Sequence, residues 1–169
     1  ALSTFHDRFT DVWTDSMGRK LGLSEARPKG DATLLDDLIE LFQAHHVDYT
    51  SSFRALAASL RGDDRPASWL SIDDVMIGSW VQRWRKRLEA EGCDPRRTAD
   101  TMDDVNPIYI PRNHLVEEAL DAATEGNIAP FNKLLGVVTT PFKQHDGLER
   151  FAEPASESFN ESFMTFCGT

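Results

Sequence analysis

A cysteine near the end of the sequence is the side chain best suited to chemistry. Cys167 lies in the run Phe166-Cys167-Gly168-Thr169, in a segment without a clear helical pattern. A thiol on such a tail is exposed and mobile, so it can reach a second cysteine by thiol–disulfide exchange. The alternative is an idle thiol, which chemistry alone favours. The other cysteine, Cys93, follows a predicted helix C-terminus and is interpreted as a plain small residue.

Three consecutive polar residues, Arg112, Asn113 and His114, follow Pro111 at the predicted start of a helix. They could bind an anion, because the amides and dipole of a helix N-terminus favour negative charge. In the structural alternative, Arg112 pairs with a buried carboxylate and Asn113 holds loop carbonyls freed by the neighbouring prolines. Buried polar groups beside irregular backbone usually satisfy that backbone, so the structural interpretation is favoured.

The only concentration of positive charge is a basic run on one predicted helix, made of Arg83, Arg85, Lys86 and Arg87. It could dock acidic proteins or face nucleotide phosphates. A solvated face balanced by Glu89 and Glu91 is the favoured interpretation, because surface ion pairs are weak and common.

Histidines beside acidic residues raise the possibility of metal sites. His45-His46 precedes Asp48, and His114 precedes Glu117 and Glu118. Adjacent helical residues point about 100° apart, and neither group has a second ligand pair at useful spacing, so no metal is predicted. Nucleotidyl transfer needs metal-binding carboxylates and a phosphate-neutralising lysine near a glycine-rich loop. No phosphate-loop, hydrolase or metalloprotease motif occurs in the sequence, so no catalytic residues are predicted in this chain.

Composition limits the class of protein. The 169 residues are 40% hydrophobic and include ten phenylalanines, enough for one globular domain. The formal charge of −10 disfavours nucleic-acid binding. No apolar run approaches the ~20 residues that span a bilayer, and no signal-peptide pattern is present. Two cysteines suit a reducing compartment. The sequence opens inside a predicted helix, as expected of a fragment.

Apolar residues recur at three- and four-residue steps, whereas sustained alternation is missing, which predicts an all-α domain. About six to seven helices are expected, at about 3–21, 31–45, 48–60, 71–91, 94–105, 111–126 and 127–138. Asp48 and Asp94 are predicted N-caps, and Gly22, Gly92 and Gly126 predicted stops. The division expected is a helical lobe over residues 1–142 and an irregular tail over residues 143–169.

The apolar stripes of the first and last clear helices are well marked. The first consists of Phe5, Phe9, Val12, Trp13, Met17 and Leu21. The last helix, capped by Asn127, is expected to turn inward Ile128, Phe131, Leu134, Leu135 and Val138. In the tail, Phe159, Phe163 and Phe166 could lie on one side of a final turn or of an extended segment.

The stretch from Asn106 to Leu120 connects these helices through a proline-bracketed segment. Pro107 and Pro111 remove backbone donors and disfavour helix before them, so Asn106–Ile110 is predicted to be extended. Pro111 is expected at the first position of the next helix. That helix is predicted to bury Leu115, Val116, Ala119, Leu120 and Ala123.

This segment also carries a family resemblance. Asn106-Pro107-Ile108-Tyr109-Ile110-Pro111-Arg112-Asn113 resembles the NP-x-Y-x-x-RN signature of the selenoprotein O (SelO, YdiU) family of protein adenylyltransferases. Lys20-Leu21-Gly22-Leu23, Val47-Asp48-Tyr49-Thr50 with Phe53-Arg54, Pro141-Phe142 and the cysteine near the end agree with it in order. The resemblance covers nearly the whole chain but only about the last third of a family member.

The resemblance implies that this chain is the non-catalytic C-terminal portion of a longer kinase-like enzyme. That parent would use ATP and Mg²⁺, bound upstream, to transfer AMP to serine, threonine or tyrosine hydroxyls of protein substrates. The partner of this chain would be the upstream kinase-like lobe, and Cys167 would have a redox-regulatory role. The compartment would be the cytoplasm, as in bacteria, or the mitochondrion in eukaryotic relatives. The rival hypothesis is a stand-alone helical module that binds a protein partner.

Overall fold

The computed structural model of the chain describes residues 2–24, 28–63 and 75–164. These residues form eight α-helices and one short 3₁₀ helix, and no strand occurs among them. The all-α prediction is therefore confirmed. The described residues group into two compact units, residues 1–107 and 108–169. The predicted division at residue 142 stays a prediction.

The first unit contains five helices: α1 (Leu2–Lys20), α2 (Pro28–Ala44), α3 (Tyr49–Leu60), α4 (Val75–Ala90) and α5 (Pro95–Val105). Helix α3 packs on α5, α1 packs on α2 and α5, and α2 packs on α4. The first three predicted helices are present within a few residues, and the predicted start of α4 at residue 71 lies outside the described residues.

The predicted caps and stops of this unit are confirmed. Asp48 accepts a hydrogen bond from the backbone N–H of Ser51 at 2.9 Å, and Asp94 accepts one from Arg97 at 2.9 Å. Both satisfy orphan amides of a first helical turn. Gly22 follows α1 with φ +75°, the left-handed conformation that favours glycine.

Two tryptophans of α4 form the centre of the first core. Trp80 and Trp84 are fully buried and stack with their ring centroids 5.9 Å apart. Their indole N–H groups donate to the carbonyls of Leu34 at 2.7 Å and Leu21 at 2.9 Å. Helix α4 therefore contributes apolar area together with hydrogen bonds to α2 and to the turn after α1.

The second unit contains α6 (Asn113–Thr124), α7 (Ala129–Val138), a 3₁₀ helix (Glu149–Phe151) and α8 (Glu157–Ser162). Its core consists of Tyr109, Leu115, Ala119, Leu134, Val137 and Phe151. Helix α8 lies in the segment that the sequence predicts to be irregular, and Phe159 and Phe163 stack there with ring centroids 5.0 Å apart. Phe166 lies outside the described residues.

Several expected burials in this unit are wrong. Leu120, Ile128, Phe131 and Leu135 are each between two fifths and three fifths exposed. Two packed helices bury only the stripe that faces the neighbour, and in α7 that stripe contains Leu134 and Val137. A unit this small has too few other elements to cover the remaining apolar side chains, so they stay exposed.

Helix α6 starts later than predicted. Arg112 has extended backbone (φ −68°, ψ 135°) and its N–H donates to the carbonyl of Ile110 at 2.8 Å, so α6 begins at Asn113. Pro111 therefore precedes the helix by two residues instead of opening it. Asn127 accepts from the N–H of Ala129 at 3.1 Å, although the residue in the cap position is Ile128.

Candidate functional site

The buried side chain of Asn106 joins the ends of two helices in the first unit. Its Nδ2 donates to the carbonyls of Lys20 at 2.8 Å and Met102 at 2.9 Å, and its Oδ1 accepts from Lys20 Nζ at 3.2 Å. The Lys20 carbonyl lies in the last turn of α1 and lacks an intrahelical donor, so the Asn106 amide satisfies it. The Met102 carbonyl of α5 already accepts from the Asn106 backbone N–H at 3.0 Å and gains a second bond from the amide. We call Lys20, Asn106 and Met102 the Asn106 junction.

Lys20 brings aromatic residues of α3 to this junction. Its Nζ lies 5.1 Å from the ring centroid of Phe53 and 5.7 Å from that of Tyr49. Partial burial lowers the pKa of Lys20 from its ordinary value. Cation–π attraction offsets part of the cost of placing this charge among aromatic rings.

An arginine of α3 connects the same region to α5. Arg54 Nη1 donates to the carbonyl of Asp103 at 3.1 Å and that of Asn106 at 3.4 Å, and pairs with Asp103 Oδ1 at 2.9 Å. Arg61 pairs with Asp103 and Asp100, each at 2.7 Å. Burial lowers the pKa of Arg54, whereas the hydrogen bond to Asp100, followed by that to Asp103, raises the pKa of Arg61.

The structure thus brings together motifs that are far apart in the sequence. Lys20, Tyr49 with Phe53 and Arg54, and Asn106 belong to three of the segments that carry the family resemblance, and all meet around the Asn106 junction. Lys20 and Asn106 are 86 positions apart, and no spacing rule predicts their hydrogen bond. The sequence interpretation therefore missed Lys20 and Arg54 as partners of the signature.

In the second unit, Tyr109 anchors the loop after α7. The backbone N–H groups of Ile108 and Tyr109 donate to the carbonyl of Pro141 at 2.7 and 3.3 Å. The buried Tyr109 hydroxyl accepts from the N–H of His145 at 3.1 Å, and the two rings lie 5.7 Å apart. The extended segment and the Pro141-Phe142 pair of the sequence pattern therefore meet through backbone hydrogen bonds.

The polar residues at the start of α6 have unlike environments. Arg112 is 8% exposed, whereas Asn113 is exposed and His114 is partly buried against Phe159. Burial, followed by the charges of Arg112 and Arg150, lowers the pKa of His114. The loop carbonyls expected to bind Asn113 and the carboxylate expected to pair with Arg112 both stay predictions, whereas Asn106 of the same signature binds helix-end carbonyls.

The basic run connects helices of the first unit. Arg83 pairs with Asp37 at 2.7 Å, Arg87 with the buried Asp31 at 2.8 Å, and Arg85 donates to the carbonyl of Ser59 at 3.3 Å. Of the expected acidic partners on the same helix, Glu91 pairs with Arg87 at 2.6 Å. Three of the basic side chains of α4 therefore bind acceptors on the neighbouring helices α2 and α3.

Burial alone would raise the pKa of Glu91. The Ser24 N–H and hydroxyl donate to its Oε2 at 2.9 and 2.8 Å, and together with Arg87 they lower the pKa overall. Cys93 Sγ lies 3.7 Å from the same oxygen, beside a cavity of about 570 Å³ between the end of α1 and the start of α5. Cys93 is a free thiol in a half-buried position.

Cys167 lies outside the described residues. Within residues 2–24, 28–63 and 75–164, no group of three histidine, cysteine or acidic side chains is placed to hold a metal ion. None of the described helices is long and apolar enough to cross a membrane.

Comparison with known proteins gives consistent matches. The model of the family "Protein adenylyltransferase SelO" matches residues 1–139. A "Protein nucleotidyltransferase YdiU" of Rhodococcus jostii is 48% identical over 168 residues, covering 99% of this chain and 32% of the relative. Proteins with the same description from Mycolicibacterium paratuberculosis and Sphingopyxis alaskensis are 47% and 44% identical, covering 100% and 96% of the chain but 34% and 33% of the relatives. The chain thus spans about a third of these relatives' length. With a match over most of its residues, this chain belongs to the SelO family.

Proposed function

We propose that this chain is the non-catalytic helical C-terminal portion of a protein adenylyltransferase. The longer polypeptide transfers AMP from ATP to serine, threonine or tyrosine hydroxyls of protein substrates, and the part outside this chain binds ATP and Mg²⁺. The observation that carries the proposal is coverage: relatives described as nucleotidyltransferases align with 96–100% of this chain but have about two thirds of their length outside it.

The role proposed for this chain is to scaffold the catalytic lobe. In support, the family-like residues of the first unit are engaged in joining helices. The Asn106 amide donates to carbonyls of α1 and α5, Arg54 binds Asp103, and the Lys20 ammonium lies over the rings of α3. Side chains held in this way stabilise one arrangement of the bundle, which is what a docking scaffold requires.

A chimera tests the proposal. It replaces the matched third of the Rhodococcus jostii relative with this chain, and labelled ATP reports AMP transfer to protein. We expect transfer by the chimera, and neither transfer nor ATP binding by this chain alone. Transfer by the isolated chain would overturn the non-catalytic role. A folded chimera without transfer, beside an active Rhodococcus jostii protein, would favour the stand-alone interaction module.

The tail thiol is proposed to be redox-active. Two successive exchanges with an added small-molecule disulfide would join Cys167 to a cysteine outside this chain and release two small-molecule thiols. We expect a Cys167-dependent disulfide in the oxidised chimera under non-reducing peptide mapping, absent in Cys167→Ser and retained in Cys93→Ser. A bond between Cys93 and Cys167 would contradict the proposal. A bacterial cytoplasmic location is proposed as well, supported by the bacterial relatives.

A further inference from the structure

The apolar stripe of α1 is buried along only half of its length. Trp13, Met17 and Leu21 pack on the first core. Phe5, Phe9 and Val12 continue the stripe at four- and three-residue steps, yet they are 70%, 58% and 67% exposed. The rings of Phe5 and Phe9 stack on each other at 6.5 Å. We call Phe5, Phe9 and Val12 the α1 apolar face.

Single exposed apolar side chains are normal on protein surfaces, but a contiguous stripe with two stacked phenylalanines marks a contact surface. The flanking exposed residues include His6, Asp7, Arg8 and Asp11, a rim of both charge signs. An apolar centre within a polar rim is the usual anatomy of an interface between proteins or domains.

We propose that the α1 apolar face docks the part of the YdiU-type polypeptide that lies outside this chain, an inference that rests on the proposed function. The relatives have about two thirds of their length outside the match. Their matched region is a C-terminal part, and α1 is its first helix. In such a polypeptide, the segment that precedes α1 is covalently attached close to the α1 apolar face.

A second copy of this chain is the less suitable occupant. A stable association between separate proteins buries about 800 Å² on each partner, which is more than three side chains on two helical turns provide. A covalently attached segment needs far less area, because its effective concentration at the face is high. The size of the face therefore favours a tethered occupant.

The first test compares one pair of substitutions in two settings. Phe5→Gln with Phe9→Gln should leave the melting temperature of the isolated chain unchanged within about 1 °C, because both side chains are more than half exposed. The same pair should lower the melting temperature of the chimera by several degrees. Phe131→Gln, on an exposed phenylalanine of α7, is the matched control. An unchanged chimera, or an equal effect of the control, would overturn the proposal.

The second test identifies the occupant. A photo-cross-linking amino acid replaces Phe9 in the chimera, and peptide mapping locates the attached residues. Cross-links to the Rhodococcus jostii portion support the proposal, whereas cross-links only between copies or only within this chain overturn it. Sedimentation of the isolated chain is independent of the chimera: a dimer abolished by Phe9→Gln would also overturn it.

AMP transfer is measured on the same samples. An active chimera without the cross-link contradicts the docking face and leaves the proposed function intact. A cross-linked but inactive chimera supports the docking face and contradicts the catalytic assignment.

Discussion

Removing the side chain of Asn106 should destabilise the first unit substantially. Asn106→Ala deletes the donors to the Lys20 and Met102 carbonyls from a site that is 1% exposed. The Met102 carbonyl keeps the bond from the Asn106 backbone N–H at 3.0 Å. The Lys20 carbonyl loses its Nδ2 donor in a partly buried position.

A buried acceptor left without its donor costs about 1–3 kcal/mol. The lost contacts of the amide and the small cavity add about 1 kcal/mol. We therefore expect Asn106→Ala to lower the free energy of unfolding by about 2–4 kcal/mol. The Lys20 ammonium is partly exposed and recovers water, so its lost bond adds little.

Urea denaturation followed by circular dichroism measures this change. The dependence of the unfolding free energy on urea concentration is compared between the variants. Asn113→Ala is the matched control, because it is the same substitution in the same signature at an exposed position. It should change the free energy of unfolding by less than about 0.5 kcal/mol. If both substitutions have the same small effect, the Asn106 junction does not hold α1 and α5 together.

Three further predictions concern backbone, pH and burial. Gly62 has φ +78° and open space around it, so Gly62→Ala should lower the free energy of unfolding by about 1 kcal/mol. Gly22→Ala should lower it clearly more, because the added Cβ would overlap Thr98 Cγ2. Equal losses of stability in thermal unfolding would contradict this. Because the pKa of His114 is lowered on folding, the unfolded chain binds that proton more readily. Stability should therefore fall as pH drops below about 6.5, and His114→Gln should flatten that part of the melting-temperature profile; an unchanged profile would contradict it. Arg112→Ala should lower the free energy of unfolding by about 1–3 kcal/mol through the loss of a buried polar side chain, and the melting temperature with it; an unchanged melting temperature would refute this.

Two carboxylates with lowered pKa values, Glu91 and Glu118, affect stability in a different pH range from His114. The hydrogen bond from Arg150 lowers the pKa of Glu118, and the donors from Ser24 with Arg87 lower that of Glu91. For an acid whose pKa falls on folding, the stabilisation is present above the unfolded pKa and is lost as pH falls through the folded value. Both contributions are therefore lost below about pH 4.5, well separated from the His114 range.

Local patterns predicted most of the helices. Period, caps and stops act over a few residues, so Asp48, Asp94 and Gly22 could be assigned without any tertiary information. Helix α4 was predicted for the same reason, and Trp80 and Trp84 are the centre of the face that it buries. The family resemblance likewise depended on short runs of residues and is confirmed by the family match.

Periodicity alone did not predict which apolar residues are buried against another helix. Phe9 and Met17 belong to one stripe, and Phe131 and Leu134 to one helix, yet only Met17 and Leu134 are buried. A hydrophobic pattern states that a face is apolar, whereas burial depends on whether another element lies opposite.

The sequence by itself determined the all-α class, the local helix signals and the family. Only the tertiary structure decided that Asn106, and not the neighbouring Asn113, holds the ends of α1 and α5, because this requires Lys20 to lie beside a residue 86 positions away. Hydrogen bonds between distant segments depend on how helices pack, and packing is a property of the whole chain. Local propensity therefore predicts the helices, and the contacts among them give the signature residues their roles.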